Sequence, residues 1–434
     1  MLKVEVRRRT YHDSIVLLLA SRRMADQPGI DSAMAAMGTP LNLDLLRENA
    51  LWAADLDSAG PDDLILAARG EDPETALRAG LEALAERPAP SAGGADEASA
   101  SAPARTVRTA TARLLGANLA LIAVPGEHAA WAAWDALQSD LNVFCFSADV
   151  SLADEVRLKD EALRRGLLFM GPDCGTAIID GVGLGFSNRV PRGRIGIVGA
   201  SGTGLQQFAC LLSHQGVGIS QAIGVGGRDL SPEVGGRMTR EAIRRLDEDP
   251  DTDLIVVVSK PAKAEFSSRK PLLKALLAPG VDLTEIALRA GRGSLPPDPA
   301  LPFSRPDRVT GIFSGGTLRE EAALIWDGDP RFTATDYGAD EYTRGRAHPM
   351  IDNTIRLEAI RRAEGVLYLD VVLGLGAHPD PASDLAPALA GRPAVVVLIG
   401  TEEDPQVLSR QRAALEAAGA TVFLSNSRAA RALL

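Results

Sequence analysis

The residues best suited to chemistry lie in the run Ile195-Gly-Ile-Val-Gly-Ala-Ser-Gly-Thr-Gly204. An apolar strand delivers the chain into a turn made of Gly199, Ser201, Gly202, Thr203 and Gly204, and a helical pattern, LQQFACLLSHQG, follows at once. The first N–H groups of a helix have no intrahelical acceptor, and the helix dipole adds positive potential at that end. With two hydroxyls beside them and no Cβ atoms to keep a ligand away, these donors form a phosphate or carboxylate site. The turn lacks the lysine of a P-loop, which excludes a nucleotide triphosphatase of that kind. A second junction, Gly311 to Thr317, repeats the pattern with Ser314, Gly315, Gly316 and Thr317 ahead of LREEAALIW. Two such turns in one chain are expected to face each other across one phosphoryl group.

Three further stretches are rich in polar groups and glycine. GPDCGTA places Asp173, Cys174, Gly175 and Thr176 at the carboxyl end of a strand, where open α/β sheets bind ligands. GVGGRDLS offers Arg228 and Asp229, and the arginine suits a carboxylate or phosphate. YTRGRAHPMID and DVVLGLGAHPDP supply Arg344, Arg346, His348, Asp352, Asp370, His378 and Asp380. Blander readings stand beside these. Arg344 and Arg346 also fit a solvated loop, and His348 and His378, each followed by proline, also fit turn or capping roles. His12, His128 and His214 lie in helical surroundings and read as structural or surface residues. Cys174 reads as turn packing rather than as a nucleophile, because no base is placed beside it. Ser201 lacks the surroundings of a hydrolase elbow and reads as a phosphate ligand. No HxxxH or paired-carboxylate spacing points to a metal, so none is expected.

The elements that must position these groups follow an α/β rhythm. From residue 107 short apolar runs alternate with helical patterns, as in ANLALIAVP, AAWAAWDALQS, NVFCFSA and LADEVRLKDEALRRG, which predicts parallel, doubly wound sheets. Residues 87–106, RPAPSAGGADEASASAPART, have the composition of a flexible linker and set off a small N-terminal α/β domain over 1–86. Residues 263–308 read as an irregular, proline-rich connector. A length of 434 residues calls for two to four cores, and 46% hydrophobic with only 4% aromatic residues favours Val/Ile/Leu strands under Ala/Leu helices over a sandwich or jelly roll. The formal charge of -11 argues against a general nucleic-acid or membrane-surface binder. Arg7, Arg8 and Arg9 are not followed by an apolar signal region, and no apolar run reaches spanning length, so a cytoplasmic location is expected. Cys145, Cys174 and Cys210 are odd in number and widely spaced, which fits neither a disulfide framework nor a zinc site.

The run GPDCGTAIIDGVGLGFSNRVPRGRIGIVGASGTGLQQ, with SQAIGVGGRDLS after it, resembles the α-subunit of succinyl-CoA synthetase and, more closely, its FdrA-type relatives. YHDSIVLLLASRRM, MGTPLNLDLL, NLALIAVPGEHAAWAA, FSGGTLREEA, YTRGRAHPMID, DVVLGLGAHPDP and GTEEDPQ extend the likeness in the family's order. The resemblance implies a CoA-ligase-type architecture, with a Rossmann-like CoA-binding-type domain at 107–190 and flavodoxin-like domains at 191–262 and 309–434. It also implies a phosphoryl group gripped between Ser201, Gly202 and Thr203 on one side and Ser314 to Thr317 on the other. The family includes acyl-CoA synthetases and a subunit of oxamate carbamoyltransferase, which works with further subunits in allantoin breakdown and moves carbamoyl groups between oxalurate and carbamoyl phosphate. Several features depart from the synthetase. The glycine-rich CoA turn after the first strand is missing, no histidine follows LIVVVSKPA until His348, Lys260 replaces the expected acid, and no ATP-grasp-like segment is present.

The leading expectation is therefore a heteromeric transferase subunit acting on carbamoyl phosphate or a related acyl phosphate. Arg228, Arg344 or Arg346 would clamp a small anionic acceptor, and His348 or His378 would move a proton, with Asp370 or Asp380 orienting it. Carbamoyl phosphate or an acyl phosphate enters as substrate, and CoA is the one cofactor left open. The alternatives are a CoA-dependent acyl ligase and a noncatalytic metabolite-binding assembly subunit. Partners are the other subunits of such a complex or further copies of the chain, with no nucleic acid and no membrane.

Overall fold

The computed structural model describes residues 1–8, 10, 12, 14–85, 104–344 and 346–434. The chain divides into two compact units, residues 1–102 and 103–434. Residues 87–103 of the expected linker lie outside the described residues.

The first unit runs β1 (Leu2–Arg7), α1 (Ser14–Ala25), β2 (Ile30–Met37), α2 (Pro40–Glu48), β3 (Leu64–Gly70) and α3 (Pro73–Ala85). Strand β3 lies between β1 and β2 and is antiparallel to both. Alternation along β3 serves two faces. Leu64, Leu66 and Ala68 pack with Leu17, Ala20 and Met24 of α1 and Ala76 and Leu77 of α3. Ile65 and Ala67 pack on the opposite face with Leu46, Leu51 and Leu56.

The second unit opens with α4 (Val107–Thr111), β4 (Leu119–Ile122), α5 (Gly126–Gln138), β5 (Asn142–Cys145), α6 (Leu152–Arg165) and β6 (Phe169–Met170), whose strands form a parallel three-stranded sheet in chain order. The hairpin β7 (Thr176–Ile179) and β8 (Val182–Gly185) leaves that sheet and joins the next one. There it meets β9 (Arg192–Ala200), α7 (Gly202–His214), β10 (Ile219–Gly224), α8 (Arg237–Glu248), β11 (Leu254–Ser259), β12 (Leu272–Leu276) and α9 (Leu283–Gly291), in the strand order β12-β11-β9-β10-β7-β8. Residues 263–308 are thus not simply an irregular connector, because β12 pairs in parallel with β11 from Leu272 to Leu276 and α9 starts on an Asp282 cap. Lys274 hid the strand in sequence. It is tolerated because β12 is an edge strand, and its ammonium reaches Glu265 at 2.8 Å.

A third, all-parallel sheet has the order β14-β13-β15-β16-β17. Its elements are β13 (Val309–Phe313), α10 (Gly316–Trp326), β14 (Phe332–Asp336), α11 (Asp340–Thr343), α12 (Thr354–Arg362), β15 (Val366–Val372), α13 (Pro381–Leu389), β16 (Ala394–Ile399), α14 (Leu408–Ala417), β17 (Ala420–Phe423) and α15 (Asn426–Leu433). The central strands are buried along their whole length, as in AVVVLI of β16, because helices cover both faces. In the second sheet β9 has β10 on one side and β11 on the other, and in the third β13 sits likewise between β14 and β15. The strand order reverses at both places, and a crevice opens beyond the carboxyl end of the strand there. Both glycine-rich turns stand at these points. Among the described residues no helix is long and apolar enough to cross a membrane.

Candidate active site

The two turns meet. Ser201 caps α7, its Oγ accepting from Gly204 N at 2.9 Å, and the same Oγ lies 2.6 Å from Thr317 Oγ1 on α10. Leu205 N donates to Ser201 O, so the N–H groups of Gly202 and Thr203 have no intrahelical acceptor. On the other side Gly315 is the cap of α10 and offers no side-chain cap, while Leu318 and Arg319 N–H donate to Gly315 O. That leaves Gly316 and Thr317 N–H at the turn. A methyl group on Gly315 would stand 2.6 Å from Thr203 Oγ1 and 2.8 Å from its Cβ, so the junction closes only because residue 315 is glycine.

A cavity of about 620 Å³ opens on this junction. Gly199, Ser201, Gly202, Thr203, Ser314, Gly315, Gly316 and Thr317 line it, together with Asp173, Cys174, Gly175, Thr176, Arg346 and His348. Gly204 does not. Its N–H is taken by Ser201, and a methyl there would run into Ser201 Oγ, so it serves packing.

The electrostatics come from strand ends. Lys260 follows β11 and Asp336 closes β14, and a methyl on Gly316 would stand 2.8 Å from Lys260 Nζ and 2.5 Å from Asp336 Oδ2. Asp173 holds a left-handed backbone (φ 53) and is an exposed residue on the cavity lining. Loss of solvation, and then the nearby Asp340, push its pKa up to about 6 against the opposing pull of Lys260 and Arg228. Burial likewise raises Asp336. His348 Nδ1 accepts from Met350 N at 3.2 Å, so in the neutral ring the proton sits on Nε2. Burial and Arg356 lower its pKa to about 4, and the ring packs on Phe186 at 5.6 Å. His348 is therefore a neutral N–H donor at neutral pH.

Several expected site residues are held elsewhere. His378 is outside the cavity lining, its Nδ1 accepting from Asp380 N at 3.1 Å and its Nε2 lying 3.2 Å from Asp384, which makes it a turn residue at the start of α13. Asp370 orients neither histidine. It is fully buried at the end of β15, accepts from Ser314 N at 2.7 Å and Ser314 Oγ at 3.0 Å, and faces the buried Arg356 at 3.2 Å, so it fixes the β13–α10 turn from behind. Burial pushes its pKa up to about 6, with Arg356 opposing. Asp380 is likewise held away from the cavity, accepting from Gln411 Nε2 of α14 at 2.7 Å. Asp229 accepts from Lys159 at 2.7 Å and from Thr239 N and Oγ1 at 2.9 and 2.7 Å, so it anchors the start of α8. Arg228 is pinned by Val150 O at 2.7 Å and Glu155 at 2.9 Å. Arg344 is exposed, 3.7 Å from Asp149. Cys174 is buried with its thiol pushed up to about 12 and its sulfur against Gly224, which is the packing role. Sequence reasoning missed Lys260, Asp336, Asp340 and Gln206 as site residues. Lys260 and Asp336 had a usable signal, since each stands where a parallel strand ends.

The chain is 35% identical to the Uncharacterized protein YahF of Escherichia coli (strain K12), over 98% of this chain and 96% of that protein. It belongs to the FdrA-type family. Family models match in three places: "AllF, heavy metal-associated domain" over residues 1–102, "CoA binding domain" over 191–275 and "CoA-ligase" over 312–433. The CoA-binding match thus falls on the second sheet and not on the 107–190 stretch expected to carry it. The FdrA-type chain is 34% identical over 33% of its length to the succinate–CoA ligase [ADP-forming] α-subunit of Aquifex aeolicus (strain VF5), and spans about half (48%) of that subunit. It is therefore acyl-CoA-ligase-like in its sequence and domains. Solved structures similar to it include Ca. Korarchaeum cryptofilum dinucleotide forming acetyl-coenzyme A synthetase 1 (TM-score 0.29, 13% identity, 73% of this chain and 81% of that one). ATP citrate lyase from Methanothrix soehngenii is another (TM-score 0.33, 14% identity, 76% and 40%). The words "heavy metal" do not fit the N-terminal residues: they include no cysteine and one histidine, His12, whereas soft metal ions select thiolates and imidazoles. Among the described residues no group of three His, Cys, Asp or Glu is placed to hold a metal.

Proposed function

We propose that this FdrA-type chain is the subunit of an acyl-phosphate-using transferase whose cavity holds carbamoyl phosphate and passes its carbamoyl group to a small amide such as oxamate, in work shared with other subunits. The observation that carries the reading is the contact of two open helix N-termini through Ser201 and Thr317. Lys260 stands with Asp336 at the positive end of α10, and its ammonium adds to the positive potential that a phosphate would meet there.

In this reading the N–H groups of Gly202, Thr203, Gly316 and Thr317 hold the phosphate. His348 Nε2–H donates to the carbonyl oxygen as negative charge develops there, a term of a few kcal/mol per preorganised donor. The acceptor's amide nitrogen attacks the carbonyl carbon, the carbon–oxygen bond to phosphorus breaks, and phosphate leaves with the bonding pair. Asp173 takes the amide proton, a task suited to a carboxylate with a pKa about 6. Arg346 is the one expected arginine on the lining that remains to pair with an acceptor carboxylate. The test is incubation of the purified complex with carbamoyl phosphate and oxamate. Oxalurate and phosphate formed in equal amounts support the reading, and neither product in a complex that binds phosphate overturns it.

The match of the CoA binding domain model over 191–275 favours a second reading, a CoA-dependent acyl ligase. Calorimetry with CoA separates the two, since the transferase does not require CoA binding.

A further inference from the structure

One wall of the cavity carries polar groups that the reaction above does not use. Gln206 lies on α7 three residues after Thr203, hence on the same helical face one turn further in. A hydrogen-bond relay fixes which end of its amide is free. Asn188 Nδ2 donates to Leu373 O at 2.9 Å and to Asp404 Oδ2 at 2.8 Å, and a backbone carbonyl is only an acceptor. Asn188 therefore presents Oδ1 to Gln206, which must answer with Nε2 at 3.1 Å. Asp404 is itself held by Arg189 N at 2.7 Å and Thr401 N at 2.8 Å, so the relay is anchored in two backbone segments.

Gln206 Oε1 is left as an acceptor with no partner, and it is closed to solvent on a residue only 2% exposed. Thr176 Oγ1, also on the cavity wall and also 2% exposed, is likewise unpartnered, and points toward Gly202 at the start of α7. An orphaned buried acceptor costs the folded protein about 1–3 kcal/mol, and a ligand N–H seated against it recovers that cost. A methyl group in the same place does not.

We infer that Gln206 is a specificity-determining residue: its Oε1 reads an N–H on the group being transferred and selects an amide-bearing acyl phosphate over an isosteric methyl-bearing one. The inference rests on the functional reading of the same cavity and adds the basis of its choice. Carbamoyl phosphate and acetyl phosphate are matched probes, since they differ by NH₂ against CH₃.

Calorimetry on the full chain with these two probes and with inorganic phosphate tests it. The wild type is expected to bind carbamoyl phosphate about tenfold or more tighter than acetyl phosphate, the value of one recovered hydrogen bond. Gln206→Met should bring the two probes to equal affinity while inorganic phosphate still binds. Equal binding of the two probes by the wild type, with phosphate bound, overturns the inference and leaves the anion site standing. Failure of the wild type to bind phosphate at all overturns both. Should Gln206→Met not fold, the wild-type comparison decides alone.

Discussion

Replacement of Gly315 by alanine probes the junction where it is tightest. The backbone there is ordinary extended chain (φ −129, ψ 113), so alanine brings no conformational strain and any effect is steric. Its Cβ would stand 2.6, 2.7 and 2.8 Å from Thr203 Oγ1, Cγ2 and Cβ. Rotating the threonine does not help, because Cβ itself is inside contact distance. Reaching a normal separation of about 3.5–4.0 Å requires the turns to part by roughly 1 Å. That movement stretches the 2.6 Å bond between Ser201 and Thr317 and splays the N–H groups meant for one anion. Overpacking of this kind costs about 1–3 kcal/mol of stability. Loss of a single charge-assisted bond to phosphate adds about 1.5–3 kcal/mol to binding, or roughly ten- to 150-fold weaker affinity. The assay pairs denaturant unfolding with phosphate calorimetry. Gly316→Ala is the control: its methyl meets only the ends of Lys260 and Asp336, which can swing aside, so binding falls while stability holds. Gly315→Ala combined with Thr203→Gly should cost less stability than the sum of the two single changes. A Gly315→Ala protein with wild-type stability and phosphate affinity would refute the contact between the turns.

Two more outcomes follow from the charged groups. Asp173 acts as its carboxylate, so transfer should rise with pH through about 6, a value set by burial and by Asp340, Asp336, Lys260 and Arg228 around it; Asp173→Asn should remove that limb and lower kcat by about 10²–10⁴, and a limb that persists in the variant speaks against this base. Asp370→Asn leaves Arg356 buried without its partner and should cost about 3–5 kcal/mol in denaturant unfolding. Because the folded carboxyl titrates at about 6, above its unfolded value of about 3.9, the wild type's advantage over the variant should shrink as pH rises through that window. A loss below about 1 kcal/mol at every pH would assign Asp370 no structural part.

Much of the layout was legible because it follows from short-range rules. The apolar runs that became β9 and β13 are buried central strands, and the small residues after them start α7 and α10 as the pattern required. That the two turns share one cavity was legible only as an expectation, since the contact of Ser201 with Thr317 joins residues 116 positions apart. Charged residues were harder to read. Arg228 and Asp229 sit in a glycine-rich loop like a ligand pair, yet each is taken by Glu155, Lys159 or the start of α8, partners some 70 residues away or on another element. His348 and His378 have the same local sequence, each before proline, and only tertiary packing sends one into the cavity and ties the other to Asp384. Gln206 gave no signal, because its role comes from a relay through Asn188 and Asp404 that spans more than 200 residues.

The central claim is that two helix ends hold a single anion. Amide resonances of Gly202, Thr203, Gly316 and Thr317, followed in a selectively labelled protein during titration with inorganic phosphate, test it most directly. All four should move together along one binding curve. Movement in only one pair, or two curves with different midpoints, would mean that the turns are separate sites and that the proposed chemistry has no place to occur.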